Sequence, residues 1–397
     1  MLNFPLYFDY NATTPVDERV LEEMLPYFRI KFGNSSSMTH RFGWEAEYAV
    51  REGRARVASL IGASPEEIIF TAGATESVNL AIKGVAESNF NKGNHIITSR
   101  IEHSAVLDTV NYLSNRGFKI TLLNVDRFGR IDIDELARSI TPVTILVSIM
   151  AANNEIGTIE NIREIADICK SRNVLFHSDA TQAMGKVKLN VKQSGIDLMS
   201  FSAHKLYGPK GTGGLYLNKD RPGLELTKQI HGGGHESDLR SGTLNVPGIV
   251  GFGKACELCQ NELETEAERL KSYRDSVINA IKNIEDSFIN GDPVNRLPGN
   301  LSVGFDCVDS QLLISGMNEI CFSTGSACSS GDMEISHVLK GIGLTKEQAM
   351  STIRLGFGRF TTQAEVNYLI EKLVSTVQNI RSESPKWELR NSESKPN

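Results

Sequence analysis

A lysine, a carboxylate and a thiol carry the chemistry this sequence offers. Lys205 closes the stretch Phe201-Ser-Ala-His-Lys205 and is followed by the turn-forming Tyr207-Gly-Pro-Lys-Gly211. An amine held at a sheet edge and partly desolvated can form a Schiff base with an aldehyde cofactor. Asp179 follows the run Val174-Leu-Phe-His-Ser178. A carboxylate there can pair with a protonated pyridine nitrogen, which makes such a ring a stronger electron sink. Cys328 lies in Ser323-Thr-Gly-Ser-Ala-Cys-Ser-Ser-Gly331, a run of small polar residues that reads as neither helix nor strand and presents the thiol rather than burying it. Together these point to a lysine that carries an aldehyde cofactor and a mobile cysteine that attacks whatever the cofactor activates.

Two further groups belong beside them. Thr71-Ala-Gly-Ala-Thr-Glu-Ser77 joins a strand to a helix with small residues and hydroxyls, and the free N–H groups of that helix start would suit a phosphate. His103, in Ile101-Glu-His-Ser-Ala105, can stack on a ring and move protons near neutral pH. Each residue has a plain alternative: Asp179 and Thr75 as helix N-caps, Lys205 as a solvated surface charge, His103 as a structural histidine. Lys205 and Asp179 on neighbouring strands favour the chemical reading over the plain one.

The elements that must position these groups are legible between Glu67 and Leu217, where short β-rich runs alternate with helix-like segments, the pattern of a parallel sheet with crossover helices. Strands are expected at 67–71, 95–98, 119–123, 144–148, 174–178, 197–201 and 214–217. Ligands bind outside the carboxyl ends of such strands, where the residues above fall. From Pro247 the periodicity is helical, and Ala255 to Leu270 is expected in a long helix linking two domains. The expected organisation is a large domain over 16–262, a smaller α+β domain from 1–15 and 263–381 that carries the Cys328 loop, and a polar, disordered tail over 382–397.

Composition narrows the class. The 397 residues hold 42 Lys+Arg against 48 Asp+Glu, a net charge of -6, so no overall basic field attracts nucleic acid or anionic lipid. The first ten residues lack the basic start and longer apolar stretch of a secretory signal, and no later run is apolar enough to span a bilayer, so a cytoplasmic protein is expected. The six cysteines follow no disulfide framework. Three motif-like patterns fail on their context: Gly248 to Lys254 approaches a phosphate loop but Ala255 stands where Ser or Thr is needed, His231-Gly-Gly-Gly-His235 has no nucleophile elbow to serve, and Cys256 and Cys259 lie in a helical stretch without a second pair.

At this point the chain resembles the cysteine desulfurases of the NifS/IscS type, within the class V aminotransferase family of fold-type-I pyridoxal-phosphate enzymes. The resemblance runs from Tyr7-Phe-Asp-Tyr-Asn-Ala-Thr-Thr-Pro15 to Ile353-Arg-Leu-Gly-Phe-Gly-Arg-Phe-Thr361. It passes through His40-Arg-Phe-Gly-Trp44, Phe70-Thr-Ala-Gly-Ala-Thr-Glu76, Asn153-Asn-Glu-Ile-Gly157, Asp179-Ala-Thr-Gln182, Ser202 to Gly211 and Arg240-Ser-Gly-Thr243. It implies an α/β fold, a large domain with a mixed, mostly parallel seven-stranded sheet plus a smaller α+β domain, and pyridoxal 5'-phosphate as cofactor. Thr324 departs from the serine usual in the cysteine loop, and the charged C-terminal tail is unlike the end associated with scaffold docking.

Residue by residue, the resemblance implies that Lys205 forms the Schiff base, Asp179 meets the pyridine nitrogen, Gln182 the ring hydroxyl, and His103 stacks over the ring. Ala74, Thr75, Ser202 and His204 would bind the phosphate, joined by Thr243 from the partner subunit of a homodimer. Asn154 also borders the cofactor and, with Arg354 and Asn11, would hold the substrate carboxylate. Cys328 would take sulfur from L-cysteine as a persulfide, leaving L-alanine, and pass it to a scaffold protein for iron–sulfur cluster assembly or to tRNA thiolation. No metal is implied in the resting enzyme, although Cys328 could transiently ligate an iron–sulfur cluster shared with a scaffold. The competing readings are an aminotransferase or selenocysteine lyase, neither of which explains a thiol on a long loop as well, and a binding platform that has lost turnover, against which the retained Lys205, Asp179, His103 and Cys328 speak.

Overall fold

The computed structural model describes residues 2–329 and 332–393. Seven strands form the main sheet: β1 (Ile68–Thr71), β2 (His95–Ser99), β3 (Lys119–Leu123), β4 (Thr144–Ser148), β5 (Leu175–Asp179), β6 (Leu198–Ser202) and β7 (Gly213–Leu217). Each lies within one residue of its sequence-based position. Their order is β1-β7-β6-β5-β4-β2-β3. Pairings among β6, β5, β4, β2 and β3 are parallel, while β7 runs antiparallel to both β1 and β6. Strands β2, β4, β5 and β6 are buried along their whole length, which explains their largely apolar or small-residue character, His95, His177 and Asp179 apart: helices cover both faces of such a sheet.

The helices that matter for the site start where these strands end. Helix α1 (Arg41–Ile61) packs beside the sheet, α2 (Ala74–Ser88) follows β1, and α3 (Ser104–Ser114) follows β2. Helix α4 (Val246–Ile281) is capped by Asn245, whose side chain accepts from the Gly248 N–H at 3.1 Å. Its apolar first half, including Ile249, Phe252, Cys256 and Cys259, joins the large core, and Leu270, Val277 and Ile281 join a second core. The linking helix expected from the sequence therefore contributes to both.

That second core gathers Leu6 and Phe8 with residues from Leu270 to Val377. It rests on a four-stranded antiparallel sheet of β8 (Ser287–Asn290), β9 (Asn300–Phe305), β10 (Ser323–Thr324) and β13 (Thr352–Gly356), ordered β10-β13-β9-β8. Between β10 and β13, residues Ser326–Ser329 (β11) pair antiparallel with Asp332–Ile335 (β12), bringing Cys328 opposite Met333. The small polar run around Cys328, expected to be irregular, thus forms a hairpin, because ladder hydrogen bonds satisfy its backbone without needing bulky side chains. The side chain of Cys328 lies outside what the structure describes.

The C-terminus also differs from expectation. Helix α5 (Gln363–Ser382) is followed by α6 (Pro385–Glu393), where the sequence reads as a disordered tail. Arg390 reaches Asp286 and Asp306, each at 3.0 Å, and the Arg381 guanidinium lies 3.9 Å from the Trp387 ring centroid. Asp286 and Asp306 sit far from Arg390 in sequence, so local polarity could not reveal them. Residues 394–397 of that tail lie outside the described residues. No described helix is long and apolar enough to cross a membrane.

Candidate active site

The carboxyl ends of β1, β2, β4, β5 and β6 open into a cleft of about 980 Å³. Asn11, Ala74, Thr75, His103, Asn154, Asp179, Gln182, Ser202, His204, Lys205 and Arg354 all line it. Thr243 does not: it is exposed, on the loop after Arg240.

At one end, Thr71 closes β1 and its hydroxyl lies 2.7 Å from the Ser77 hydroxyl, fixing the start of α2. Gly73 takes φ +157, open to glycine without strain, and no side chain caps α2. Its unsatisfied N–H groups and positive dipole end make an anion site beside Ser202 and His204. His204 Nδ1 meets the Thr13 hydroxyl at 3.0 Å. Burial, then the charges of Lys205, Lys210 and Lys186, push the His204 pKa down to about 4, so the ring is neutral near pH 7.

Lys205 closes a short 3-10 turn, Ala203–Lys205, just past the end of β6. Its ammonium donates to the carbonyls of Asn11, at 2.9 Å, and Ala12. Burial, followed by the charge of Arg354, pushes its pKa down to about 8, against the opposing pull of Asp179 and Asp9. An appreciable fraction is therefore the neutral amine that adds to an aldehyde. Asp179 is buried at the end of β5, and its Oδ1 accepts from the Thr181 N–H at 2.9 Å. It caps that turn and faces the cleft at once, so its two sequence readings are compatible.

His103 caps α3, its Nδ1 accepting from the Ala105 N–H at 3.1 Å. That bond assigns the proton of the neutral ring to Nε2. Across the cleft, Arg354 on β13 donates to Asp9 and Ser323, both at 2.8 Å, and to the Asn154 carbonyl at 3.3 Å. A second cleft of about 630 Å³ shares His103, Asn154 and Arg354 with the first and extends to Gly325, at the base of the Cys328 hairpin.

Sequence reasoning passed over three groups. Asp9 stands next to Tyr10-Asn11, and its acidic type was the available signal. Glu102 is wholly buried, accepts from Ser99 Oγ at 2.8 Å and Met150 N–H at 3.0 Å, and burial raises its pKa to about 8. Lys186 donates to Gln182 Oε1 at 2.7 Å, a contact signalled by i,i+4 spacing.

The sequence of residues 6–369 matches the aminotransferase class-V family model. The chain belongs to that family, among the NifS/IscS-type cysteine desulfurases. It is 48% identical over 390 residues to "Cysteine desulfurase IscS" of Actinobacillus succinogenes, covering 98% of this chain and 96% of that one. A solved "NIFS-LIKE PROTEIN" superposes with a TM-score of 0.87 at 41% identity, covering 95% of this chain and 99% of that one. "SspA in complex with cysteine" superposes with a TM-score of 0.80 at 37% identity, covering 90% and 100%.

The cysteine desulfurases of this family depend on pyridoxal 5'-phosphate, and the residues present fit it. The uncapped start of α2 suits its phosphate, the Asp179 carboxylate its ring nitrogen, and the Lys205 amine its aldehyde. The hydroxyl of Thr181, buried in the cleft wall, has no hydrogen-bond partner among the described residues, an orphan that a bound group would satisfy.

Proposed function

We propose that this protein is a cysteine desulfurase that converts L-cysteine to L-alanine and loads the sulfur onto Cys328 as a persulfide. One observation carries the reading: Lys205, Asp179, His103 and Arg354 share a cleft whose second arm reaches the base of the Cys328 hairpin. The solved relative named for its complex with cysteine supports the substrate.

Pyridoxal phosphate, when bound, supplies the electron sink. Arg354 and Asn154 hold the substrate carboxylate, with Asn11 beside them, and a guanidinium can do so through two parallel N–H donors. Lys205, whose amine would hold the cofactor aldehyde, would also be placed to take the Cα proton. Asp179 would meet the ring nitrogen, and His103, whose Nδ1 accepts from the Ala105 N–H, would stand over the ring with Nε2 left to pass protons. The Cys328 thiolate then attacks the substrate sulfur. An S–S bond forms as the Cβ–S bond breaks, the electron pair stays with the carbon fragment, and protonation releases L-alanine.

The persulfide passes to an acceptor protein, a scaffold for iron–sulfur clusters or a carrier for tRNA thiolation. A homodimer completes the site. Phe28, Phe32, Met38, Trp44 and Tyr48 are each more than half exposed, and exposed apolar side chains gathered in one stretch of chain suit a protein–protein contact. His235, on the loop leading to Thr243, lies 3.0 Å from the Ser36 hydroxyl, so a second copy seated on this surface also meets the Thr243 loop. A cytoplasmic location accords with the five free cysteines among the described residues.

The test is to incubate cofactor-loaded protein with L-cysteine and measure alanine and protein-bound persulfide beside Cys328→Ala. Both products should appear with the wild type and neither with the variant, whose cofactor spectrum should be unchanged. A variant as active as the wild type would remove Cys328 from the reaction.

A further inference from the structure

The positive end of α2 faces two anions. Glu76 stands in the first turn of that helix, where the dipole that favours a carboxylate is the one that would attract a phosphate. Glu76 lines the cleft together with Gly73, Ala74 and Thr75. Its Oε2 accepts from the Ala72 N–H at 2.9 Å. The next residue, Gly73, approaches Ser202 so closely that an added Cβ would lie 3.9 Å from the Ser202 hydroxyl. The carboxylate is therefore bound to the same turn that, with Ser202, forms the anion site. Left uncompensated, its charge would oppose a phosphate dianion there.

Arg240 supplies the compensation. Its Nε donates to Glu76 Oε1 at 2.8 Å and its Nη2 to Glu76 Oε2 at 3.3 Å, so the guanidinium holds both carboxylate oxygens. The two side chains are only 22% and 20% exposed, and a partly buried pair is screened less than a surface one. Among the described residues, no other cation forms an ion pair with Glu76, and Arg240 forms none with another carboxylate. Glu236, whose charge also acts on Arg240, is taken by Arg54 at 2.5 Å. Glu76 belongs to the motif Thr71–Ser77 and Arg240 to the motif Arg240–Thr243, yet neither residue has a part in the reaction as described above.

We infer that Arg240 is a positioning residue for the cofactor phosphate: it neutralises Glu76 and holds that carboxylate against Ala72, leaving the N–H groups of α2 to the phosphate. This rests on the reading in which the start of α2 binds the phosphate of pyridoxal phosphate and Lys205 its aldehyde. Without Arg240 the carboxylate is unpaired beside the phosphate and free to compete for the same N–H groups.

The experiment compares pyridoxal phosphate with pyridoxal, which has the aldehyde but no phosphate, in titrations of the apoprotein followed by visible absorption. Arg240→Met should raise the Kd for pyridoxal phosphate at least about tenfold and leave that for pyridoxal within about twofold. Glu76→Gln added to Arg240→Met should restore most of the lost affinity, because the amide carries no charge. Displacement of the loop that joins Arg240 to Thr243 would not be mended by that change. An unaltered Kd in Arg240→Met, an equal loss for both aldehydes, or no recovery in the double variant would overturn the inference. Failure of the underlying reading looks different: the wild type itself would show no preference for the phosphorylated aldehyde, or its absorption would survive Lys205→Ala.

Discussion

Arg354 and Asp9, 345 residues apart in the chain, meet at 2.8 Å on the wall of the cleft. Asp9 comes from the N-terminal segment and Arg354 from β13, and their pairing ties both to the site. Because Ser323 and the Asn154 carbonyl also accept from this guanidinium, its plane is held before any substrate arrives.

That arrangement depends on a planar fork of donors. Arg354→Lys keeps the charge but cannot hold three acceptors and a carboxylate together. Steady-state kinetics should show KM for L-cysteine raised at least about tenfold with kcat changed far less, the signature of lost uniform binding. An equal fall in both kcat and kcat/KM would place Arg354 in the transition state instead.

Lys205 predicts a pH dependence. Its amine adds to an aldehyde only when neutral, and its pKa is lowered to about 8 by burial first and Arg354 second. Cofactor capture by the apoprotein, followed by absorption, should therefore accelerate as pH rises and level off above about pH 8. Arg354→Leu removes one of the lowering influences and should move the midpoint to higher pH.

The exposed apolar surface predicts assembly. Sedimentation should find a dimer, and Phe32→Glu or Trp44→Glu should weaken it. If Thr243 of the partner subunit helps hold the phosphate, the monomeric variants lose cofactor on dialysis. Full retention by a monomer would contradict that role.

His177 predicts acid sensitivity. It is completely buried on β5 between the hydroxyls of Ser148 at 2.8 Å and Ser200 at 2.9 Å, and burial lowers its pKa to about 4. Below its ordinary pKa near 6.5 the unfolded chain takes up a proton that the native state refuses, so stability falls as pH drops from about 6.5 toward 4. Urea unfolding should show roughly 2 kcal/mol less stability at pH 5 than at pH 7 from this residue. His177→Asn, with no proton to gain, should flatten that slope.

The sequence alone determined the seven strands of the large sheet and the residues at their carboxyl ends, because strands buried on both faces read as short, largely apolar, β-rich runs and a site there needs polar residues at or immediately after their ends. It also determined the family, through motifs spread over nearly the whole chain. Only the tertiary structure decided which distant groups meet. Asp9 holds Arg354, Lys186 stands beneath Gln182, and Arg390 docks α6 on Asp286 and Asp306. The hairpin that carries Cys328 was likewise invisible, since small polar residues have no strong strand preference and the ladder they join is set by pairing. Local sequence specifies what a segment can form, but charge pairs and amide orientations depend on neighbours brought together only when the chain folds.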